Sequence, residues 1–273
     1  MSRLFGWIIV EDRKEILVET QVKEVINQSY PAVSPSDLVT RAREVVRSTG
    51  FQSLPVTKND KLEGIVTSRD LLQITSTRSN IPVKGLMSPP IIVGNSDWSL
   101  AKLARKTIQA DINLVPVTRD SNDKSLLGVV SLENVLEKLS EAHNEAPAAE
   151  SLMSEKVVTC NQNDSLSKVW NIMGETNYSG IPVTKKNKVI GMVARSDIIK
   201  SGKVRLAIES EGGRTPPKVK TVMETPPIKI EPNDSINKAI KLMTKREIGR
   251  LPVTKNKELI GIIDREDVIK PYL

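Results

Sequence analysis

Apolar positions along this chain return in the same order again and again. Near the C-terminus Ile236, Ala239, Ile240 and Met243 fall at i, i+3, i+4 and i+7, the spacing of a helix with one buried face. Asp234 or Ser235, in the segment PNDS just before them, supplies the cap. An apolar strand (LPVT), a polar turn (KNKE) and a second apolar strand (LIGIID) follow. A last short helix begins near Asp264 and carries Val268 and Ile269. With the extended piece IKI at 228–230 in front, the unit reads β-α-β-β-α. The helical pattern recurs in SLSKVWNIM (165–173), SLAKLARKTI (99–108) and DLVTRAREVV (37–46).

The hairpin recurs with it, as LPVTKNDKLEGIVTSRD (54–70), VPVTRDSNDKSLLGVVSLEN (115–134), IPVTKKNKVIGMVARSD (181–197) and LPVTKNKELIGIIDRED (251–267). Pro55, Pro116, Pro182 and Pro252 stand 61, 66 and 70 residues apart, and each lies 9, 12, 9 or 9 residues before Gly64, Gly128, Gly191 or Gly261. The three extra residues fall in the polar turn DSNDKSL, where insertions are tolerated. Self-similarity of this kind is the mark of a repeat architecture. Units of about 50 residues bury too little surface to stand alone, so they are expected to pair.

The separators group the units two and two. The polar stretch SEAHNEAPAAE (140–150) reads as the boundary between modules, and SGKVRLAIESEGGRTPPK (201–218) as a basic insert carrying Lys203, Arg205, Arg214 and Lys218. The expected division is an N-terminal extension at 1–21, repeats at 22–76 and 83–139, a linker at 140–149, a repeat at 150–200, the insert at 201–218 and a repeat at 219–270. Within the extension, LFGWIIV (4–10) and EDRKEILVET read as a hairpin at 4–19, either an extra strand sealing a sheet edge or a docking element.

Composition narrows the function. Aromatic residues make up 3% of the chain, so Val, Ile, Leu and Met must build the core, and a stacking platform for single-stranded nucleic acid is disfavoured. One cysteine, Cys160, and one histidine, His143, leave no disulfide framework, no familiar zinc site and no Cys/His or Ser/His nucleophile pair. The apolar run 4–10 is too short for a bilayer span, which needs about 20 residues, and lacks signal-peptide features. A cytoplasmic chain with no membrane association is expected. Residues 1–150 carry a net charge of −1 and residues 151–273 one of +8, so the basic half is suited to meeting an anion.

The repeated hydrophobic-Pro-Val, followed about nine residues later by Gly-hydrophobic-hydrophobic-x-x-x-Asp, resembles the cystathionine-beta-synthase (CBS) domain. The resemblance covers about four-fifths of the chain. It implies an α/β (α+β) fold of four repeats paired into two Bateman modules, with ligand clefts between paired sheets. It further implies a disc-like arrangement, closed within one chain or by homodimerisation. The family implies adenosyl ligands (AMP, ADP, ATP or S-adenosylmethionine), no required cofactor and no catalysis. Four-repeat members, such as the gamma subunit of AMP-activated kinase, serve energy sensing. With no enzyme or channel segment in the sequence, regulation of a partner in trans is expected.

Carried onto this chain, the family pattern names candidate nucleotide-binding residues. A carboxylate can accept from both ribose hydroxyls, and a hydroxyl or Arg can meet a phosphate. The first repeat has Thr67 and Asp70, with Ser53 and Leu54 before Pro55; the third has Asp197 and Arg195, with Gly180 and Ile181 before Pro182. The fourth has Asp267, Arg265 and Arg250, with Leu251 before Pro252, but it sets Asp264 where a phosphate would lie. The second is weaker, with Ser131 and Asn134 and no carboxylate at that position. The implied order of competence is first, third, fourth, second. Thr67-x-x-Asp70 and Ser131-x-x-Asn134 are also helix capping boxes, a use that needs no ligand. A second functional reading places the basic half on an RNA or ribosomal surface, with the repeats as scaffold; it rests on charge alone.

Overall fold

The computed structural model describes residues 13–73, 80–120, 122–142, 146–203 and 216–273. Residues 13–19 form helix α1. This corrects the second strand expected in the N-terminal hairpin; the first strand of that hairpin lies outside the described residues, as do His143, Arg205 and Arg214. In α1 the apolar Leu17 is buried, as a helix packed on a core requires, whereas Val18 beside it is exposed.

The first repeat contributes helix α2 (Val39–Thr49), strands β1 (Ser53–Lys58) and β2 (Lys61–Thr67), and helix α3 (Ser68–Gln73). The second contributes β3 (Gly94–Asn95), α4 (Leu100–Gln109), β4 (Leu114–Thr118), β5 (Leu126–Ser131) and α5 (Leu132–Leu139). The third contributes β6 (Cys160–Asn161), α6 (Leu166–Thr176), β7 (Gly180–Lys185), β8 (Lys188–Ala194) and α7 (Arg195–Ser201). The fourth contributes α8 (Ile236–Arg246), β9 (Arg250–Lys255), β10 (Glu258–Asp264) and α9 (Arg265–Ile269). In the first and fourth repeats the leading strand shrinks to a single parallel bridge, Val33 to Val56 and Ile230 to Val253.

Within each module the repeats exchange their leading segments. Val22 and Asn27 precede the first repeat's helix, yet Val22 N–H donates to Trp98 O at 2.9 Å and Asn27 N–H to Val129 O at 2.9 Å, both in the second repeat. In return, Val83 N–H donates to Asp37 O and Ile65 N–H to Ser88 O, each at 2.8 Å, so the second repeat's leader lies on the first. The second module does the same. Ala149 N–H reaches Asp234 O and Val219 N–H reaches Asp164 O, at 2.8 and 3.0 Å. Neither repeat can then complete its sheet alone.

The repeated glycines mark where these leaders cross. A Cβ on Gly64 would stand 2.9 Å from the Ser88 carbonyl oxygen, one on Gly191 2.7 Å from that of Glu224, and one on Gly128 2.5 Å from that of Asn27. Gly128 also has φ +146°, a conformation that disfavours a side chain. On Gly261 the obstacle is the Met153 sulfur at 2.5 Å. The glycine is thus the opening through which one repeat's backbone lies against the other.

The core follows the same exchange. One continuous cluster joins the second and fourth repeats, running from Leu103, Val115 and Leu136 to Ile240, Leu251 and Ile269, and it includes Val22 and Ala149 from the exchanged leaders. The first repeat keeps its own cluster around Val46, Leu54 and Val66, and the third its own around Leu166, Ile181 and Val193. Ile199 of the third repeat enters the first repeat's cluster, and Trp170 packs against both. Helix α1 clasps the joint core. Arg13 is 1% exposed; its Nη1 donates to the Tyr272 hydroxyl at 2.7 Å, its Nη2 donates to Asn237 Oδ1, and its guanidinium lies 5.1 Å from the Tyr272 ring centre. These contacts offset part of the cost of stripping the buried cation of water, although Arg13 Nε has no hydrogen-bond partner among the described residues.

These contacts set the expected stability of three variants. Gly191→Ala is expected to lower stability by about 1–3 kcal/mol through overpacking, whereas Gly174→Ala, in α6 with its nearest obstacle at 3.9 Å, is expected to raise it by about 0.5–1 kcal/mol. Tyr272→Phe strands the Arg13 donor and is expected to cost about 1–3 kcal/mol. Denaturant midpoints of the full chain measure all three.

Candidate functional site

Each hairpin ends at a junction where the second strand turns into a short helix, and the residues at that turn cap it. In the first repeat Thr67 N–H and Thr67 Oγ1–H both donate to Asp70 Oδ2, at 3.0 and 2.6 Å, and Asp70 N–H donates back to Thr67 Oγ1 at 3.2 Å. In the second, Ser131 N–H donates to Asn134 Oδ1 at 2.9 Å. In the third, Ala194 N–H donates to Asp197 Oδ2 at 2.9 Å. In the fourth, Asp264 N–H donates to Asp267 Oδ2 at 2.9 Å and Asp267 N–H to Asp264 Oδ1 at 3.1 Å. All four positions cap. An ionised carboxylate has about four acceptor sites, so capping through one oxygen does not exhaust it.

Electrostatics separate the junctions. Burial pushes the Asp197 carboxyl up, against the hydrogen bond from Ala194, and the charge of Glu224 pushes it the same way. Glu224 sits on the exchanged leader, opposite Met192. The Asp267 carboxyl is pushed up to about 6, first by burial and then by the charge of Asp264. Asp264 in turn receives Arg250 at 3.2 Å. The repulsion expected at Asp264 is therefore met by Arg250, while Arg265 pairs with Glu133 of the second repeat.

Two cavities open beside these junctions. The smaller, about 480 Å³, has Ser53, Ile65 and Thr67 of the first repeat on one side, with Arg195, Arg250 and Arg265 among its other lining groups. Arg69, next to Asp70, lines it too, as do Pro90 to Ile92 of the exchanged leader. Arg195 is held by its neighbours: Nη2 donates to Met173 O at 2.5 Å and Tyr178 O at 3.1 Å, and Nη1 to Gln52 Oε1 of the first repeat at 3.4 Å. Burial draws the Arg195 guanidinium down from its usual range, and the positive charges of Arg69 and Arg250 add to this. Arg250 lies over the Tyr178 ring at 4.4 Å. Burial lowers Arg265 as well, opposed by Glu133 and Asp264. Four arginines from three repeats thus converge on one cavity.

The larger cavity, about 640 Å³, takes in Ser131 and Asn134 of the second repeat with Gly180 and Asp197 of the third. Both volumes fall within the range of about 300–1,000 Å³ common for small-molecule sites. Ser53, Arg250 and Arg265 line both cavities. Leu54, Ile181 and Leu251 are fully buried in the cores, so only their backbone could meet a ligand. Asp70 and Asp267 are not among the residues lining either cavity, but Asp70 Oδ2 lies 2.6 Å from the Oγ1 of Thr67, which lines the smaller one.

Sequence reasoning missed Arg69, Glu133 and Glu137, and did not join Tyr30 to Phe51, whose rings stack at 4.3 Å on the wall of the larger cavity. Aligning the repeats shows Arg69, Glu133, Ser196 and Glu266 at equivalent positions, five residues past each glycine, a signal that was legible. Of the basic insert, Lys203 Nζ donates to Thr221 O at 3.1 Å, and Lys218 bridges to Ser165. Both serve the exchange in the second module. Among the described residues no helix is long and apolar enough to cross a membrane.

Comparison with known proteins agrees with this architecture. The CBS domain model matches residues 22–76, 83–141, 149–203 and 219–273. The protein MJ1404 of Methanocaldococcus jannaschii is 26% identical over 269 residues; the match covers 93% of this chain and 62% of that protein's length. MJ1225 of the same organism is 21% identical over 278 residues, with 90% and 96% covered. The crystal structure of MJ1225, proposed there as an archaeal homologue of g-AMPK, superposes with a TM-score of 0.81 at 20% identity, covering 93% of this chain and 100% of that one. A conserved protein of Pyrococcus horikoshii superposes with a TM-score of 0.65, also at 20% identity and with 93% and 100% covered. With matches across most of its length, the chain belongs to the CBS domain family and carries four copies of that domain.

Proposed function

We propose that this protein is a non-catalytic regulator that binds an adenine nucleotide in the first repeat's cleft and passes ligand state to a partner. The observation that supports it is the convergence of Arg69, Arg195, Arg250 and Arg265 on the cavity that Ser53 and Thr67 also line. The Arg195 guanidinium, whose charged form burial and the neighbouring Arg69 and Arg250 disfavour, would be relieved by an anion, and planar guanidinium forks match phosphate oxygens. The base and ribose would sit toward Ser53 and Thr67, within reach of the Asp70 carboxylate that Thr67 touches at 2.6 Å, and the phosphates toward the arginines.

Such a ligand would touch both modules at once. Arg195 already reaches Gln52 across the module boundary, so a phosphate there would change the free energy of that contact. Linkage then limits the signal: a partner can sense ligand only to the extent that ligand prefers one arrangement of the modules.

Calorimetric titration of nucleotide-stripped full chain with AMP, ADP and ATP tests the reading, with saturable binding to at least one of them expected. Asp70→Asn keeps the cap, as Asn134 shows, and is expected to weaken binding about tenfold or more by removing a charged acceptor. Asp70→Ala is expected to lose the same affinity and also about 1 kcal/mol of stability. Arg195→Ala is expected to weaken nucleotide about tenfold while leaving adenosine unchanged. No saturable binding to any of the three nucleotides would overturn the proposal.

A further inference from the structure

The two hairpins of the second module meet turn to turn. Glu258, which opens β10, pairs with Lys188, which opens β8, and Leu259 N–H donates to Asn187 O at 3.1 Å. Lys185 lies opposite Lys188 on the other side of β8, and Lys255 lies opposite Glu258. Directly opposed residues of antiparallel strands share a face, so Lys185, Lys188, Glu258 and Lys255 form one row across four strands. With strands about 4.8 Å apart, the row is about 14 Å long. Lys186 and Asn187 make one turn beside it and Asn256 and Lys257 the other, and all eight residues are exposed. Among the described residues, none of the five lysines enters an ion pair.

The first module differs. Its hairpins also meet at their turns, where Leu62 N–H donates to Lys124 O and Leu126 N–H to Asp60 O, each at 2.8 Å. There the segments 58–61 and 119–125 hold four cations and three carboxylates, whereas 185–188 and 255–258 hold five cations and one carboxylate. The Asp123 carboxyl, held down first by hydrogen bonds from Ser125, is lowered further by the charges of Arg119 and Lys61. The turns of the first module thus largely compensate themselves, and those of the second do not.

Local geometry does not call for these lysines. Lys186 has φ 50° and Lys257 φ 70°, left-handed values that favour Asn, Asp or Gly. The equivalent positions of the first repeat are Asn59 and Asp60. Lys185 facing Lys188 also sets like charges directly opposite, a destabilising pair. The equivalent Lys58 and Lys61 have Asp60 between them in the turn.

We propose that this row and its two turns dock the phosphate backbone of double-stranded nucleic acid. A duplex carries one charge per about 1.7 Å of axis, so a row of about 14 Å faces about eight phosphates. Ammonium groups on flexible stems, with the amides of Asn187 and Asn256, contact a backbone without reading its sequence. The eight turn residues include no aromatic and no aliphatic side chain. That leaves no stacking platform for a single strand, and no apolar group to insert into a lipid surface. It also leaves none of the apolar centre or Arg, Tyr and Trp anchors of a protein interface, from which Lys is depleted. Docking of this kind supplies a partner chemistry that the regulatory reading leaves open, and it needs no bound nucleotide.

Fluorescence anisotropy on the full chain tests this, with an RNA duplex, the DNA duplex of the same sequence and one RNA strand alone as probes. Both duplexes are expected to bind more tightly than the strand, with log affinity falling against log salt at a slope of about −3 to −4. Lys186→Asn with Lys257→Asn removes two cations and gives each turn a residue that suits its backbone. The denaturant midpoint is expected to hold or rise, while duplex affinity falls about tenfold or more and the salt slope becomes shallower by about two. The same charge change in the first module, Lys58→Gln with Lys124→Gln, is expected to leave duplex affinity nearly unchanged. Absence of duplex binding at low salt, equal loss in the two pairs of variants, or equal binding of the single strand overturns the proposal. Stronger lysine-dependent binding to phosphatidylserine vesicles or to polyglutamate than to either duplex also overturns it, and assigns the surface to a membrane or an acidic protein. Failure here leaves the titrations with AMP, ADP and ATP untouched, and failure of those titrations leaves this surface standing.

Discussion

The structure depends on one close approach, a carbonyl of one repeat lying against the bare Cα of a glycine in its partner. Gly64, Gly128 and Gly191 each receive a backbone oxygen at a distance no Cβ could share. That approach lets Ser88, Asn27 and Glu224 pair with the partner's second strand. The leader's buried valine, Val22, Val83 or Val219, then enters the partner's core. The hydrophobic free energy of each repeat is thereby tied to its neighbour, and a unit too small to be stable alone becomes half of a module.

The same crossing builds the clefts. A leader that runs past the glycine continues beside the strand-to-helix junction, so Tyr30, Pro90 and Pro227 come to line cavities beside a cap from the partner repeat. Capping and cavity lining share these junctions. Asp70 holds α3 at its start and keeps acceptor capacity in reserve, whereas Asn134 does the capping alone. Where two carboxylates meet, at Asp264 and Asp267, the capping bond is kept and one carboxyl is pushed toward its neutral form.

The modules are joined unequally. The second and fourth repeats share one core, closed by α1 through Leu17 and the buried Arg13. The first and third keep separate cores that meet through Ile199 and Trp170, with Lys200 laid over Gly50 and Arg47 over Gly202. Each of those cations lies at the C-terminal end of the other repeat's helix, where carbonyl dipoles favour it. The arginine-lined cavity draws residues from both sides.

Much of this was legible in the residues. Helical spacing located α8 from Ile236, Ala239, Ile240 and Met243, and all four are buried. The Pro-to-Gly spacing located every hairpin, since local periodicity reflects which face of an element is covered. Residues 13–19 were misread as a strand because a short apolar run has no decisive period; Leu17 is helical because a joint core was there to receive it. The composition of the cavities was not legible, because Arg69, Arg195, Arg250 and Glu133 come from different repeats. The sequence by itself determined the repeat, its hairpins and its caps, all of which depend on neighbours within a few dozen residues. Only the tertiary structure decided which charges face one another, because the exchange of leaders and the pairing of modules set those distances.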